Sequence, residues 1–317
     1  MKYTTGEFLY YDAISGYKVR NMKLVVNQMN EYLKDKDNGI DEMGLFILAK
    51  SYDKLGKTEE AKKIYKTILT MNPNNKRAVL ELGRVYVKEY DADNAEKEFK
   101  KYIKLDNDKT PHARLELGKL YAGMKRYDEG EEELQKSIKI DRDKTPHARL
   151  ELGKLYEKQG RVYDAENEFK ISAVIDKDQH TYCHFELGKL YKNDGKFSEA
   201  EEQYKKCISI EENINKSRKK KNYNPFILLE LAKLYESEER YDEAENLLNE
   251  ALLYDEEYRT NTKIELRKIA EIRQRDAQLK QSIKEAKHVG SWRDLFKRRK
   301  PKEINSKTKS TKDTPVR

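Results

Sequence analysis

The 317-residue sequence contains two cysteines, six prolines and one tryptophan. Two cysteines are too few for the disulfide framework that stabilises small secreted domains, and both fall in columns of small packing residues. The sequence has no apolar run of about 18 residues, the length of a membrane-spanning helix, and its first residues lack the pattern of a signal peptide. We therefore expect a cytoplasmic protein.

Motifs of catalysis and metal binding are also missing. The sequence has no phosphate-cradling G-x-x-x-x-G-K, no G-x-S-x-G and no H-E-x-x-H. The nearest candidate for a metal site is the group His180, Cys183 and His184, but the first is expected at a helix edge and the second in a packing column. The His–Glu pairs 112/116 and 147/151 offer only two donors each. We expect no enzymatic activity, no cofactor and no bound metal.

Excess charge is confined to one end of the chain. The sequence has 66 Lys and Arg against 58 Asp and Glu, a net charge of +8. Residues 288–317 contain ten Lys and Arg and three Asp and Glu, so this segment carries +7 and residues 1–287 only +1. A sleeve for nucleic acid would need cations clustered along one face of the body, so the charge argues against that function.

What the sequence does contain is repetition. The thirteen letters KTPHARLELGKLY occupy residues 109–121 and again residues 144–156, an offset of 35 residues. An identical segment at this spacing is typical of stacked helical repeats, in which one unit cannot bury its apolar face without a neighbour. The segment also reads as the start of a helix, with Thr110 as the expected N-cap and Pro111 at the first helical position.

Five columns recur at the same spacing. The first is Leu48, Leu82, Leu117, Leu152, Leu187 and Leu231. A small residue, Gly or Ala, follows each Leu directly, and a Tyr follows three positions later. A second small column is Ala61, Ala95, Gly130, Ala165, Ala200 and Ala244, and a large one four positions on is Tyr65, Phe99, Leu134, Phe169, Tyr204 and Leu248. Small residues allow two helices to approach closely, so each unit is predicted to be a helical hairpin.

These columns resemble the tetratricopeptide repeat. The resemblance implies an all-α, right-handed α-α superhelix, or solenoid, of about six hairpins with an N-terminal capping hairpin and a long C-terminal helix. One column departs from the family, which often places a large residue three positions before the Leu. Here that column holds Leu45, Val79, Arg114, Arg149, His184 and Leu228. We expect looser packing at its centre, or Arg stems that cover apolar surface with their heads in water.

The expected organisation has four parts. Residues 1–41 form an atypical helical cap, and residues 42–258 form six tetratricopeptide repeats with a basic insertion at about 211–225. Residues 259–288 form a capping and projecting helix, with Thr262 and Glu265 spaced as a capping box at its start. Residues 289–317 are a basic, mostly disordered tail. The insertion is expected to be a solvated loop, with contact to an acidic partner or to phosphates as the alternative.

In this family the first helix of each hairpin commonly lines a concave groove that holds a peptide or a helix. The resemblance therefore implies a scaffold that binds a partner protein there. The expected groove residues are Arg84, His112, Glu116, Lys119, His147, Glu151, Lys154, Glu186, Lys189 and Lys233. The alternative is that the Glu and Lys of these columns mainly pair with each other. Glu81, Glu116 and Glu151 would repel a ligand carboxylate, so we expect no clamp for the C-terminal carboxylate of chaperones.

The tail holds a second candidate site. Trp292, Leu295 and Phe296 share one face of a short segment that is followed by Lys297, Arg298, Arg299 and Lys300. The segment could fold back on the stack, dock on another protein, or contact an anionic membrane or nucleic acid. The alternative function is accordingly an adaptor that residues 289–317 localise to an anionic membrane surface or to RNA.

Overall fold

A computed structural model describes residues 5–34, 41–142, 144–218, 224–253 and 259–289. The chain divides into two compact units, Met1–Lys220 and Lys221–Arg317. In the described residues the first unit has the helices α1 (Thr5–Lys18), α2 (Met22–Tyr32), α3 (Glu42–Lys54), α4 (Thr58–Met71), α5 (Lys76–Lys88), α6 (Ala92–Asp106), α7 (His112–Gly123), α8 (Tyr127–Asp141), α9 (His147–Lys158), α10 (Val162–Asp176), α11 (Tyr182–Asn193) and α12 (Phe197–Arg218). The second has α13 (Pro225–Ser237), α14 (Tyr241–Ala251) and α15 (Arg259–Val289). These described ranges contain no strand, so the all-α prediction is confirmed.

Each hairpin is held by a small residue on its first helix that faces a large one on its second. A Cβ atom added at Gly153 would lie 2.5 Å from the Phe169 ring, and one added at Gly188 would lie 2.7 Å from the Tyr204 ring. The large partners Phe99, Leu134, Phe169 and Tyr204 are fully buried. Close approach of the helices therefore depends on the missing side chain, as the columns predicted.

Neighbouring hairpins of the first unit are tied together by tyrosines of the first helices. The hydroxyl of Tyr121 donates to Glu96 on the preceding second helix at 2.9 Å, and Tyr156 donates to Glu131 at 2.8 Å. Tyr191 repeats the bond with Glu166 at 2.9 Å. The buried Tyr rings also fill the space between hairpins. In these three repeats the Tyr of the column pattern thus has two roles, apolar packing and a hydrogen bond to the adjacent repeat.

The hairpin α1–α2 packs against the first repeat. Val25 and Met29 of α2 are buried in one cluster with Leu48 of α3. Asn21 caps α2 through its side chain, which accepts from the backbone N–H of Leu24 at 3.2 Å. Tyr10 of α1 donates to Asp41, the N-cap of α3, at 2.6 Å. The two helices therefore cover the apolar end of α3.

Thr110 does not cap α7, contrary to the prediction. Pro111 occupies the N-cap, because its carbonyl accepts the first helical bond from Leu115 at 2.9 Å. In the next repeat Thr145 turns backward, and both its N–H and its hydroxyl donate to Asp141 at 2.6 and 2.7 Å. The Asp that ends α8 therefore organises the turn, an arrangement that competes with N-capping.

In the column that departs from the family pattern, the guanidinium groups of the Arg residues do not extend into water. The guanidinium of Arg114 pairs with Asp108 at 2.6 Å and with Glu133 at 2.5 Å, and its side chain is only 13% exposed. Arg149 pairs with Glu168 at 2.7 Å. Carboxylates on the second helix thus bring these guanidinium groups inside the hairpin. The prediction that these Arg side chains extend into water is therefore wrong, because their guanidinium groups form half-buried ion pairs.

Two predicted boundaries also change. Residues 211–218 are not a loop, because α12 continues to Arg218. The second helices of the three preceding repeats end at Asp106, Asp141 and Asp176, each followed by a left-handed residue, whereas no residue in 197–218 has a positive φ. Thr262 is not a cap, because α15 begins at Arg259 and buries Thr262 inside the helix.

In the second unit α13 and α14 form a hairpin against which the first half of α15 packs. Pro225 stands at the first position of α13 behind the cap Asn224. Ile269 of α15 is buried, whereas residues 273–281 are exposed. No described helix of either unit has the length and apolarity needed to cross a membrane.

Candidate functional site

The first helices of successive hairpins lie side by side in the first unit. α5 contacts α7, α7 contacts α9, and α9 contacts α11. The strip of charged side chains that runs across them is called the charge ladder. Its members are Lys50, Glu81, Arg84, Glu116, Lys119, Glu151, Lys154, Glu186 and Lys189. A strip that crosses several repeats is long enough to contact an extended segment of another chain.

Three cations of the ladder bridge neighbouring repeats, and the first of them, Lys50, pairs with Glu81 on the next first helix at 2.9 Å. Arg84 pairs with Glu81 on its own helix at 3.0 Å and with Glu116 on the next first helix at 2.8 Å. Lys154 pairs with Glu151 at 3.2 Å and with Glu186 at 3.5 Å. The Glu and Lys columns therefore pair with each other, within a helix and between repeats. This pairing fixes the side chains and neutralises much of the ladder.

The bridging positions are electrostatically favourable for cations. Burial disfavours the charged form of Arg84, but the nearby Glu116 and Glu81 outweigh it and raise its pKa. The pKa of Lys154 rises in the same way, with burial opposed by Glu151 and Glu186. Both groups therefore remain charged through the physiological pH range.

Cations extend further into solvent than the carboxylates do. The side chain of Lys119 is 44% exposed and that of its partner Glu116 is 14% exposed. Lys189 and Glu186 differ in the same sense, with 38% and 14% exposed. The Glu residues sit at the base, where the Lys side chains cover them. Ammonium groups are therefore the outermost polar groups of the ladder, and they can donate to carbonyl and carboxylate oxygens.

The middle of the ladder contains a cleft of about 170 Å³. Its lining comprises the predicted residues Lys119, Glu151, Lys154, Glu186 and Lys189, and also Ala122, Leu155, Glu157 and Lys158. Sequence reasoning missed the last four. Lys158 follows Lys154 by four positions and Ala122 follows Lys119 by three, so helical periodicity could have identified both. Buried Ala122 and Leu155 give the cleft an apolar floor.

Other predicted groove residues lie outside this cleft. His112 and His147 are exposed at the first turns of α7 and α9 and do not line it. Lys233 belongs to the second unit, where it pairs with Glu230 at 3.0 Å. The tail residues Trp292, Leu295, Phe296, Lys297, Arg298, Arg299 and Lys300 lie outside the described residues, as do 219–223 of the basic insertion.

The histidines and thiols of the fifth repeat take part in hydrogen bonds. His180 contacts Asp176 at 2.8 Å, and buried His184 contacts Asp178 and Gln203, both at 2.8 Å. Burial raises the pKa of the Cys183 thiol, which donates to Ser172, so the nucleophilic thiolate is disfavoured. No group of three or more His, Cys, Asp or Glu in the described ranges is arranged to hold a metal ion.

Comparison with known families agrees with the geometry. Models of the tetratricopeptide repeat match residues 54–114 and, separately, residues 111–144, 182–214 and 227–258. A search by sequence among curated proteins gives no match.

Solved structures with the same fold are numerous. A tetratricopeptide repeat protein from Parabacteroides merdae aligns with a TM-score of 0.62 at 16% identity, over 81% of this chain and 97% of the other. The type IV pilus biogenesis factor PilW aligns with a TM-score of 0.57 at 20% identity, over 69% and 97%. PilF of Pseudomonas aeruginosa aligns with a TM-score of 0.52 at 18% identity, over 67% and 90%. At these identities the likeness concerns the fold alone.

Proposed function

Because the chain is a tetratricopeptide repeat protein, we propose that it is a non-enzymatic scaffold that binds a segment of a partner protein on the charge ladder. The occupant is an extended, polar peptide that runs across α7, α9 and α11. The observation that supports this most strongly is the cleft with an apolar floor and a rim of solvent-facing lysines. Such a site combines a small apolar contact with donors in fixed positions, as peptide grooves require.

The chemistry of the rim indicates what the peptide presents. Lys119, Lys154 and Lys189 recur at the same position of three successive first helices. Their ammonium groups can donate to backbone carbonyls or side-chain carboxylates of an extended chain. The carboxylates of Glu151 and Glu186 at the cleft can accept from backbone N–H groups of the same chain. A polar segment of alternating donors and acceptors therefore suits the ladder better than an apolar helix does.

Reversal of two rim charges tests the proposal. The variant Lys119→Glu with Lys154→Glu places carboxylates next to Glu116, Glu151 and Glu186, and it should lower partner recovery in affinity capture at least 10-fold, which corresponds to about 1.4 kcal/mol. The matched control is Lys104→Glu with Lys139→Glu, the same charge change at exposed sites of α6 and α8. Equal recovery by both variants, measured by quantitative mass spectrometry, would rule out the ladder as the binding face.

A second candidate function rests on the charge of the tail. Residues 288–317 carry +7 and contain the only Trp of the chain. Such a segment suits an anionic membrane surface or RNA, with each cation near a lipid surface contributing about 1 kcal/mol. Deletion of residues 289–317 should abolish sedimentation with vesicles that contain phosphatidylserine, or retention on RNA. Failure of the full chain to bind either at moderate salt would exclude this function.

A further inference from the structure

A second cleft lies between the fourth and fifth repeats and shares no lining residue with the charge ladder. It measures about 520 Å³ and is formed by α10, α11 and α12 with the turn between the first two. Its lining comprises Lys170, Ala173, Val174, Lys177, Asp178, His184, Leu187, Gln203 and Lys206. Only Leu187 belongs to the repeat columns that define the fold. The rest of the lining is specific to this place in the chain.

Smaller side chains open this cleft. Ala173 stands where the two preceding repeats have Ile103 and Ile138, at an offset of 35 residues. By the same offset, His184 stands in the place of Arg114 and Arg149, and Gln203 in the place of Glu133 and Glu168. In those repeats a long Arg and its Glu partner fill the position between the helices. Two reductions in size at one point, from Ile to Ala and from Arg to His, therefore leave a space that larger side chains fill in the earlier hairpins.

The same substitutions change the charge. Arg114 is balanced by two carboxylates, Asp108 and Glu133, whereas His184 contacts one carboxylate, Asp178, and the neutral Gln203. Asp178 also pairs with Lys206 at 3.2 Å. Hydrogen bonds from His184 and Lys206 lower the pKa of Asp178, so it is ionised and already engaged at neutral pH. With three lysines around one carboxylate, the lining carries net positive charge.

The cleft also exposes an apolar surface. Val174 is 76% exposed on α10, at the position where the preceding repeats have Lys104 and Lys139. Beside it lie Ala173 and Leu187, which form the floor. Val174 is flanked by Lys170 on α10 and by Lys177 at the C-cap of that helix. The ammonium of Lys170 also pairs with Glu166. An exposed valine between lysines, over a recess, is a surface for an apolar side chain with acidic neighbours.

We propose that this cleft binds an acidic peptide segment of another protein, with one apolar side chain against Ala173, Val174 and Leu187 and carboxylates at Lys170, Lys177 and Lys206. An acidic occupant complements the charge of the lysines. Such complementarity fixes the register of the bound segment and raises its rate of association. Because residues 288–317 carry +7, the chain's own tail is repelled from it. This surface is separate from the charge ladder, so one chain can hold two partner segments at once.

The test uses the full chain and a fluorescein-labelled nine-residue peptide with a central leucine flanked by glutamates, followed by fluorescence anisotropy. Ala173→Ile restores the side chain of the neighbouring repeats and should raise the Kd at least 10-fold while the fold is kept. Lys177→Asn, which reproduces Asn107 at the equivalent left-handed position, should raise the Kd about 3-fold. Arg142→Asn makes the same change one repeat earlier and should leave the Kd unchanged.

Peptide controls define the chemistry. Replacement of the glutamates by glutamine, or of the leucine by serine, should weaken binding at least 10-fold. Absence of binding by the first peptide up to about 1 mM, or equal affinity for the wild type and for both cleft variants, would overturn the proposal. The proposal would also be overturned if the ladder variant Lys119→Glu with Lys154→Glu lost peptide binding while Ala173→Ile left the Kd unchanged. Retained binding in that ladder variant supports a site independent of the groove.

Discussion

Individual glycines determine how closely the helices of each hairpin approach. Gly83, Gly118, Gly153 and Gly188 each face a large buried side chain at a distance that a Cβ atom could not share. Glycine inside a helix costs about 1 kcal/mol relative to alanine, so the close packing must compensate for that cost. The conflict between helix propensity and packing makes these positions sensitive to the smallest substitution.

Gly153→Ala is expected to destabilise the chain by about 1–2 kcal/mol, because the new methyl group would meet three atoms of the Phe169 ring at 2.5–3.1 Å. The matched control is Gly123→Ala at the exposed end of α7, where nothing lies within 4 Å of the added Cβ atom. That variant should be neutral or more stable by about 0.5 kcal/mol. Urea denaturation followed by circular dichroism measures both, and a more stable Gly153→Ala would contradict the packing account.

Pairs of helices from adjacent repeats are joined by a charged network around Glu96. Lys100, Tyr121 and Arg126 all bond to its carboxylate, and the guanidinium of Arg126 lies 4.2 Å from the centre of the Tyr121 ring. Partial burial opposes ionisation, but these hydrogen bonds outweigh it and lower the pKa of Glu96 to about 2. The pKa of the equivalent Glu166 is lowered as well. The interface between repeats is thus linked to pH.

The sign of this linkage follows from the lowered pKa. A carboxyl with an ordinary pKa of 4.5 in the unfolded chain and about 2 in the fold stabilises the protein above pH 4.5. That contribution is lost as pH falls from about 4.5 to about 2. Glu96→Gln should therefore cost about 2 kcal/mol at pH 7 and much less at pH 2.5.

Denaturation midpoints of the wild type and of Glu96→Gln across pH 2.5–7 measure the difference. Glu60→Gln, at an exposed site of α4, serves as the control for loss of one carboxylate. If the difference in denaturation midpoint between wild type and Glu96→Gln stayed constant over the whole pH range, the carboxylate would act by shape rather than by charge. The expected result is a difference in denaturation midpoint that becomes smaller as the pH falls.

The sequence predicted the hairpins because their columns are set by the repeat itself. It did not predict features that depend on which neighbour a polar side chain selects. Thr110 and Thr145 are good N-cap residues, yet Thr145 bonds backward to Asp141, a choice that becomes visible only in three dimensions. For the same reason, the repeat columns did not predict that Arg114 pairs with Glu133 on another helix. The resemblance to the tetratricopeptide repeat implied the ladder residues, whereas the apolar floor at Leu155 required the packed structure.

The architecture of the first unit exposes two different surfaces, the charge ladder and the second cleft. Each hairpin buries its apolar sides on its neighbours, so the first helices present the charge ladder while α10 and α12 contribute to the second cleft. Repeat stacks use such extended surfaces for binding because each repeat contacts only its neighbours. The proposed function depends on the positions of these surface groups.

Hydrogen–deuterium exchange of the full chain, alone and with a partner recovered by affinity capture, tests the central claim most directly. The account predicts new protection at α7, α9 and α11, the helices that carry the middle of the charge ladder. Protection confined to residues 290–317, or to α10 and α12 without α7 and α9, would contradict a partner segment held on the ladder.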